Sequence, residues 1–188
     1  MGRLNGRWAV RGAAMAAALV LVVPVATRAA LASDAELVTE ARKTLAVFEK
    51  NDPGLAKFAA RSAGYVVFPT ITKGAIGVGG AHGTGVLFVK GKAMGKASLT
   101  QVTVGAQLGG QEYSEVIFFD TARAVADFEK GNVALSAEAA AVALKSGASA
   151  DAKYKGGVAV FTATKGGLMA DASVGGQKFG YEPFAHPR

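Results

Sequence analysis

The chain has 188 residues, 25 glycines, no cysteine, and a formal net charge of +7 from 21 Lys and Arg against 14 Asp and Glu. Without a thiol it can form no disulfide and no cysteine-ligated metal or redox centre, so stability has to come from burial and hydrogen bonding. The charge is also unevenly placed: residues 1–32 hold four basic residues and no acidic ones, and the remaining 156 residues carry only +3, which removes the compositional case for nucleic-acid binding.

Residues 1–32 have the three-part layout of a secretory signal peptide. Arg3, Arg7 and Arg11 form the positive end and Ala13 to Val25 an apolar core too short to span a bilayer comfortably, while Ala30-Leu31-Ala32 offers a small-x-small cut before Ser33. An uncleaved membrane anchor is the alternative. The expectation is an exported protein, periplasmic or secreted, whose residues 33–188 form a single domain.

Ser33 stands three residues before Glu36, a capping-box pattern, and Leu37, Ala41, Leu45 and Phe48 repeat at helical spacing, which predicts a helix over 34–50. Its polar face mixes Glu36, Glu40 and Glu49 with Arg42, Lys43 and Lys50, so the apolar stripe is expected to pack on a sheet rather than lie in a membrane interface. Asp52-Pro53 starts a second helix that ends near Gly64, with Leu55, Phe58 and Ala59 on one face. From Tyr65 the periodicity becomes two, predicting strands at 65–68, 73–81, 84–90, 98–109 and 113–119 and a polar turn over Gly91 to Lys96. Asp120 or Thr121 then caps a helix that stops at Gly131, and the alanine-rich run from Ala134 to Leu144 is ambiguous. The fold class is therefore α+β: a mostly antiparallel, glycine-rich or barrel-like sheet with N-terminal helices and one helix near 121–130.

The segment from Gly64 to Phe88 joins this strand alternation to a high density of glycine, implying bulges, sharp bends or close backbone approach, and reads as paired strands around a tight turn. Its residues Gly64, Val67, Phe68, Pro69, Lys73, Gly79, Gly80, Gly83, Gly85, Val86 and Leu87 fit the pattern G-x-x-V-F-P-x-x-x-K-x-x-x-x-x-G-G-x-x-G-x-G-V-L. In that pattern the chain closely resembles the SYLF domain family, over roughly Asp34 to Tyr181. The resemblance implies a noncatalytic lipid- or membrane-binding module, whose eukaryotic relatives bind phosphoinositides and in some cases actin filaments. It also marks a departure, since many bacterial members carry a lipidation cysteine that this chain lacks. Near the C-terminal end, Val160-Phe161-Thr162-Ala163-Thr164-Lys165-Gly166 echoes Val67 to Gly74, which suggests two related strand units meeting in one sheet.

No catalytic constellation emerges. Counting five residues on from Gly77, a dinucleotide fingerprint would need glycine where His82 stands, and Gly91 to Lys96 fails the phosphate-loop pattern. His82 and His186 are too isolated for a metal site, and His82 is expected at a hairpin tip. Glu112 and Glu115 make a poor acid/base pair because an odd separation on a strand sends them to opposite faces. Neither a cofactor nor a metal is therefore expected. Lys73, Lys90, Lys92 and Lys96 fall in or beside turns and Lys165 repeats Lys73 in the echo, so these five are the candidate lipid-binding residues. The partner implied is anionic phospholipid or a membrane surface; a structural or stress-related envelope protein acting through protein contacts is the alternative.

Overall fold

The computed structural model describes residues 25–133, 141–165 and 176–185, with side chains from residue 33 onward apart from 75–78 and 103–110. The chain order is α1 (Val25–Asn51), α2 (Gly54–Arg61), β1 (Gly64–Val89), β2 (Lys92–Phe119), α3 (Ala122–Glu129), β3 (Val142–Ala143), α4 (Ala148–Asp151), β4 (Val158–Thr164) and β5 (Gln177–Pro183). The fold is α+β with an open, mostly antiparallel sheet, as the alternation of short helices and strand-period segments requires. No helix among the described residues is long and apolar enough to cross a membrane.

The sheet is built on one long ribbon. β1 and β2 pair antiparallel along their whole length, from Gly64 opposite Phe119 to Val89 opposite Lys92, with irregularities at Phe68/Ile71, Ile76/Val78 and Leu87/Phe88. At about 3.3 Å per residue a strand of this length would reach about 85 Å if straight, far beyond a domain of this size, so it has to bend. It does so by doubling back. A Cβ built on Gly85 would lie 2.5 Å from the Val67 carbonyl oxygen and 2.7 Å from the Phe68 ring, and one on Gly83 would lie 2.7 Å from the Ile71 side chain. Residues 64–71 therefore run against residues 83–88 of the same strand, at a separation only glycine permits.

Doubling back divides β2 between two neighbours. Its second half, Tyr113 to Phe119, pairs with β4, and its first half, Gly95 to Gln101, pairs with β5. β3 adds a short parallel edge to β4. Counting the halves of β1 and β2 separately, the five named strands supply seven strand segments.

Strand alternation then distributes the apolar side chains between two cores. On the inner face of the curl, Val66, Phe68, Ile71, Leu87, Leu99, Ile117, Val160 and Phe179 gather with Val125 and Phe128 of α3. On the other face, Tyr65, Val67, Val86, Phe88, Val116, Phe118 and Phe161 meet Val38, Ala41 and Phe48 of α1 and Leu55 and Phe58 of α2. The apolar stripe of α1 is thus consumed by the sheet, with Leu37 and Leu45 packed at its margin.

Several details differ from the sequence expectation. α1 begins at Val25, so Ser33 lies inside the helix and does not cap it, and the helix runs through the proposed cut between Ala32 and Ser33. The breaks expected near residues 69–72, 82–83 and 110–112 are absent, because irregularities in the ladder bend the ribbon without ending it. The partner of β1 is β2, not a strand within 64–88, and exposed His82 sits mid-strand opposite Thr100 rather than at a tip. The turn is at Lys90-Gly91, and Lys92 to Lys96 belong to β2. Thr121, rather than Asp120, caps α3, its hydroxyl accepting the Ala124 N–H at 3.2 Å. The two echoed segments flank one stretch of β2, Val67 and Phe161 lying on either side of Val116. Residues 134–140 and His186 lie outside the described residues.

Asp52 ties the helical layer together. Its buried carboxylate accepts the Gly54 N–H at 3.0 Å, the Ser149 N–H at 2.6 Å and the Ser149 hydroxyl at 2.8 Å, joining the start of α2 to α4. Burial alone would raise its pKa, but these hydrogen bonds favour the charged form and the net direction is downward.

Gly85→Ala should destabilise by about 1–3 kcal/mol through overpacking against Val67 and Phe68. Gly74→Ala, where an added Cβ meets nothing within 4 Å, should change stability little or raise it slightly; equal denaturation midpoints for the two variants would rule out the close approach. Asp52→Ala should lose about 3 kcal/mol by stranding buried donors. Because folding depresses the Asp52 pKa, its contribution is complete above the unfolded value of about 3.9 and disappears as pH falls through the folded value. Stability measured against pH should therefore show an acid limb in the wild type that Asp52→Asn lacks.

Candidate functional site

The five candidate lysines are spread over the sheet. At one end of the ribbon the turn between β1 and β2 presents Lys90 and Lys92, both exposed. Lys90 has φ +51° and Gly91 φ +75°, the double left-handed pair that a two-residue hairpin loop requires. Glycine adopts that conformation freely, whereas lysine pays steric strain of about 1–2 kcal/mol for it. Arg42 of α1 braces the turn, donating to the Gly91 carbonyl at 3.2 Å with its guanidinium 5.1 Å from the centre of the Phe88 ring. Arg42, Lys90 and Lys92 thus form a basic cluster at the tip.

Lys73 lies within β1, away from this turn. The approach of Gly64 to Phe88 sets the tip beside the start of β1, and nine residues of strand then separate Gly64 from Lys73, about 30 Å along the chain. Lys73 is buried on the side of β1 that carries Ile71. Lys165 is close to it in the sheet, its backbone N–H donating to the Glu112 carbonyl, but its ammonium reaches the Thr70 hydroxyl. Lys96 lies within β2 and forms an ion pair with Glu182 at 3.3 Å. The geometry therefore brings Lys90 and Lys92 together, sets Lys73 and Lys165 in a separate location, and occupies Lys96 with a carboxylate.

Arg42 was not legible as part of this cluster. On α1 it reads as one more charge on a mixed polar face, and only the packing of that helix across Phe88 carries it to the turn.

A groove of about 430 Å³ runs between α1 and the middle of β1, lined by Glu36, Leu37, Glu40, Pro69, Thr70 and His82 among others. Glu40 already pairs with Lys43 at 2.8 Å. Among the described residues no group of three or more His, Asp or Glu side chains is placed to hold a metal ion. Glu112 is exposed and Glu115 completely buried, so the two do sit on opposite faces.

Comparison with known proteins gives two findings. Residues 100–182 match a family model described as Ysc84, Las17-binding protein actin regulator. A 77-residue stretch is 40% identical to Beta cell expansion factor A of Aeromonas veronii, covering 40% of this chain and 29% of that protein. The chain thus spans less than a third of that relative's length. The family match takes in most of β2 together with α3, β4 and β5, whereas the glycine-rich segment that resembles the SYLF pattern lies in β1, paired along its length with β2. Two adjoining parts of one sheet thus point to the same family: residues 100–182 are similar to the Ysc84 (SYLF) family model, and the β1 segment carries the SYLF pattern.

Proposed function

We propose that this protein is a noncatalytic module that binds membrane surfaces, contacting anionic phospholipid through the basic tip at Arg42, Lys90 and Lys92. The observation that carries this reading is Lys90 itself. A lysine at positive φ, where glycine or asparagine would fit without strain, places an ammonium at the outermost point of the ribbon at the expense of stability. Strain retained at an exposed charged position is expected of a contact residue, and each cation near an anionic surface adds about 1 kcal/mol. Lys96, Lys73 and Lys165 take subsidiary roles, being respectively ion-paired, buried and hydrogen-bonded to Thr70. The signal-peptide layout of residues 1–32 supports an exported protein acting at the envelope.

The description of the matched family as a regulator of actin that binds another protein favours a second reading, in which the same tip contacts a protein partner.

Cosedimentation with neutral and anionic vesicles, at low and high salt, separates the two. Binding should require anionic lipid and weaken with salt. Removing both tip charges in Lys90→Asn/Lys92→Ala should cost about 2 kcal/mol, a loss of roughly 30-fold in affinity. Lys90→Asn alone should raise stability by about 1 kcal/mol while lowering affinity, since asparagine tolerates the left-handed turn. Vesicle binding unchanged by these substitutions would reject the tip as the lipid site, and absence of vesicle binding would leave the protein-contact reading in its place.

A further inference from the structure

Among the described residues, one ionisable group on the inner face of the curled sheet has no access to water. Glu115 is 0% exposed, flanked in register by Phe68 of β1 and Thr162 of β4. Facing it from β5 is Gln177, also completely buried, whose amide donates to Glu115 Oε2 at 3.0 Å and to the Tyr113 hydroxyl oxygen at 3.4 Å. Gln101, opposite Gln177 in the β2–β5 ladder, brings a further buried amide to this face, and within the Glu115–Gln177 pair two acceptors are left over. Glu115 Oε1 and Gln177 Oε1 are both buried and neither has a hydrogen-bond partner.

Those two leftovers belong to the two groups already bonded to each other, and that decides the chemistry. Along one edge a primary amide offers an N–H and a carbonyl oxygen, its second N–H here going to Tyr113, and a carboxylic acid offers one carbonyl oxygen and one O–H. A proton on Glu115 Oε1 supplies the missing donor for Gln177 Oε1 and closes a ring of two hydrogen bonds, N–H to Oε2 and O–H to Oε1. A carboxylate instead leaves two buried acceptors without a donor, at a cost comparable to full desolvation of each.

Among the described residues no cation is paired with Glu115. Of the groups facing Glu115, Phe68 and Thr162 carry no charge, Gln177 is neutral, and Tyr113 is a phenol that burial holds further toward its protonated form. Lys73 shares the inner side of β1 but makes no ion pair with Glu115, and the ion pairs found among the described residues all lie at the surface.

We infer that Glu115 is held protonated, and that its acid–amide pair with Gln177 is a proton-dependent clasp joining the second half of β2 to β5. The clasp closes the curl, because β5 is otherwise paired to the first half of β2 and meets the second half only across the interior. Phe179, two residues along β5 from Gln177, packs on Phe68 and Phe128 at ring separations of 6.0 and 5.4 Å, so the clasp also seats the inner aromatic cluster.

Burial drives the Glu115 carboxyl up to about 8, and the Gln177 hydrogen bond only partly offsets it. The unfolded carboxyl titrates near 4.3, so between these values the folded protein holds one proton more than the unfolded chain. Stability therefore falls as pH rises through this window, by about tenfold in the folding constant per pH unit, and levels off above the folded pKa.

The test follows the Glu115 side-chain carboxyl by carbon NMR in the intact wild-type protein, alongside denaturation midpoints from pH 5 to 9 for wild type and Glu115→Gln. The carboxyl signal should titrate near 8, and the wild type should lose stability toward alkaline pH. Glu115→Gln, which keeps a two-bond amide pair with no proton to lose, should remove that slope. A carboxyl titrating in the ordinary carboxylate range would overturn the clasp, and so would parallel pH profiles for the two proteins. The NMR titration decides the matter even if the variant fails to fold.

Discussion

Everything in this fold depends on the doubling back of the β1–β2 ribbon. Strands this long cannot remain straight inside one domain, and bringing residues 64–71 against 83–88 leaves no room for a Cβ at Gly83 or Gly85. Where backbone lies on backbone, glycine exchanges its own conformational entropy for contact that no other residue can make. From this one fold of the ribbon come the two neighbours of β2, the separation of inner and outer cores, and the placement of the turn beside the start of β1.

The two cores serve different ends. The outer one fastens α1 and α2 to the sheet through stacked and tilted rings, among them Tyr65 on Phe88 at 5.2 Å and Phe58 on Phe118 at 5.5 Å. That packing holds Arg42 at the turn, so a helix with no charged patch of its own contributes to a basic tip. The inner core is polar where Tyr113, Glu115 and Gln177 meet, and a polar group in such surroundings must be fully satisfied or strongly destabilising. The two polar devices respond oppositely to pH: Asp52, held charged by Ser149 and Gly54, weakens in acid, while Glu115, held neutral, weakens in base.

Much of the architecture was legible in the residues. Helical spacing of Ala41 and Phe48, the Asp52-Pro53 start, the Thr121 cap and the change to period two at Tyr65 are local signals, and local geometry honoured them. The capping box at Ser33 failed because the helix continues upstream of it, and a cap is only a cap where the helix starts. The strand breaks failed for a related reason: glycine marks where a strand can bend, which sequence reads as where it ends. Of the lysines, their position near turns was legible for Lys90 and Lys92, but the grouping of Lys73 with them was not, because about 30 Å of strand lies between.

By itself, then, the sequence determined the fold class, the family resemblance, the absence of any disulfide and the apolar faces of the helices, all of which follow from composition and short-range periodicity. Tertiary structure alone decided that β1 pairs with β2 while folding against itself, that Arg42 reaches Gly91, and that Glu115 meets Gln177 from 62 residues away. The physical reason is range. Propensity and alternation act within a few residues, whereas hydrogen-bond partners, desolvation and charge depend on which distant segments the folded chain brings into contact.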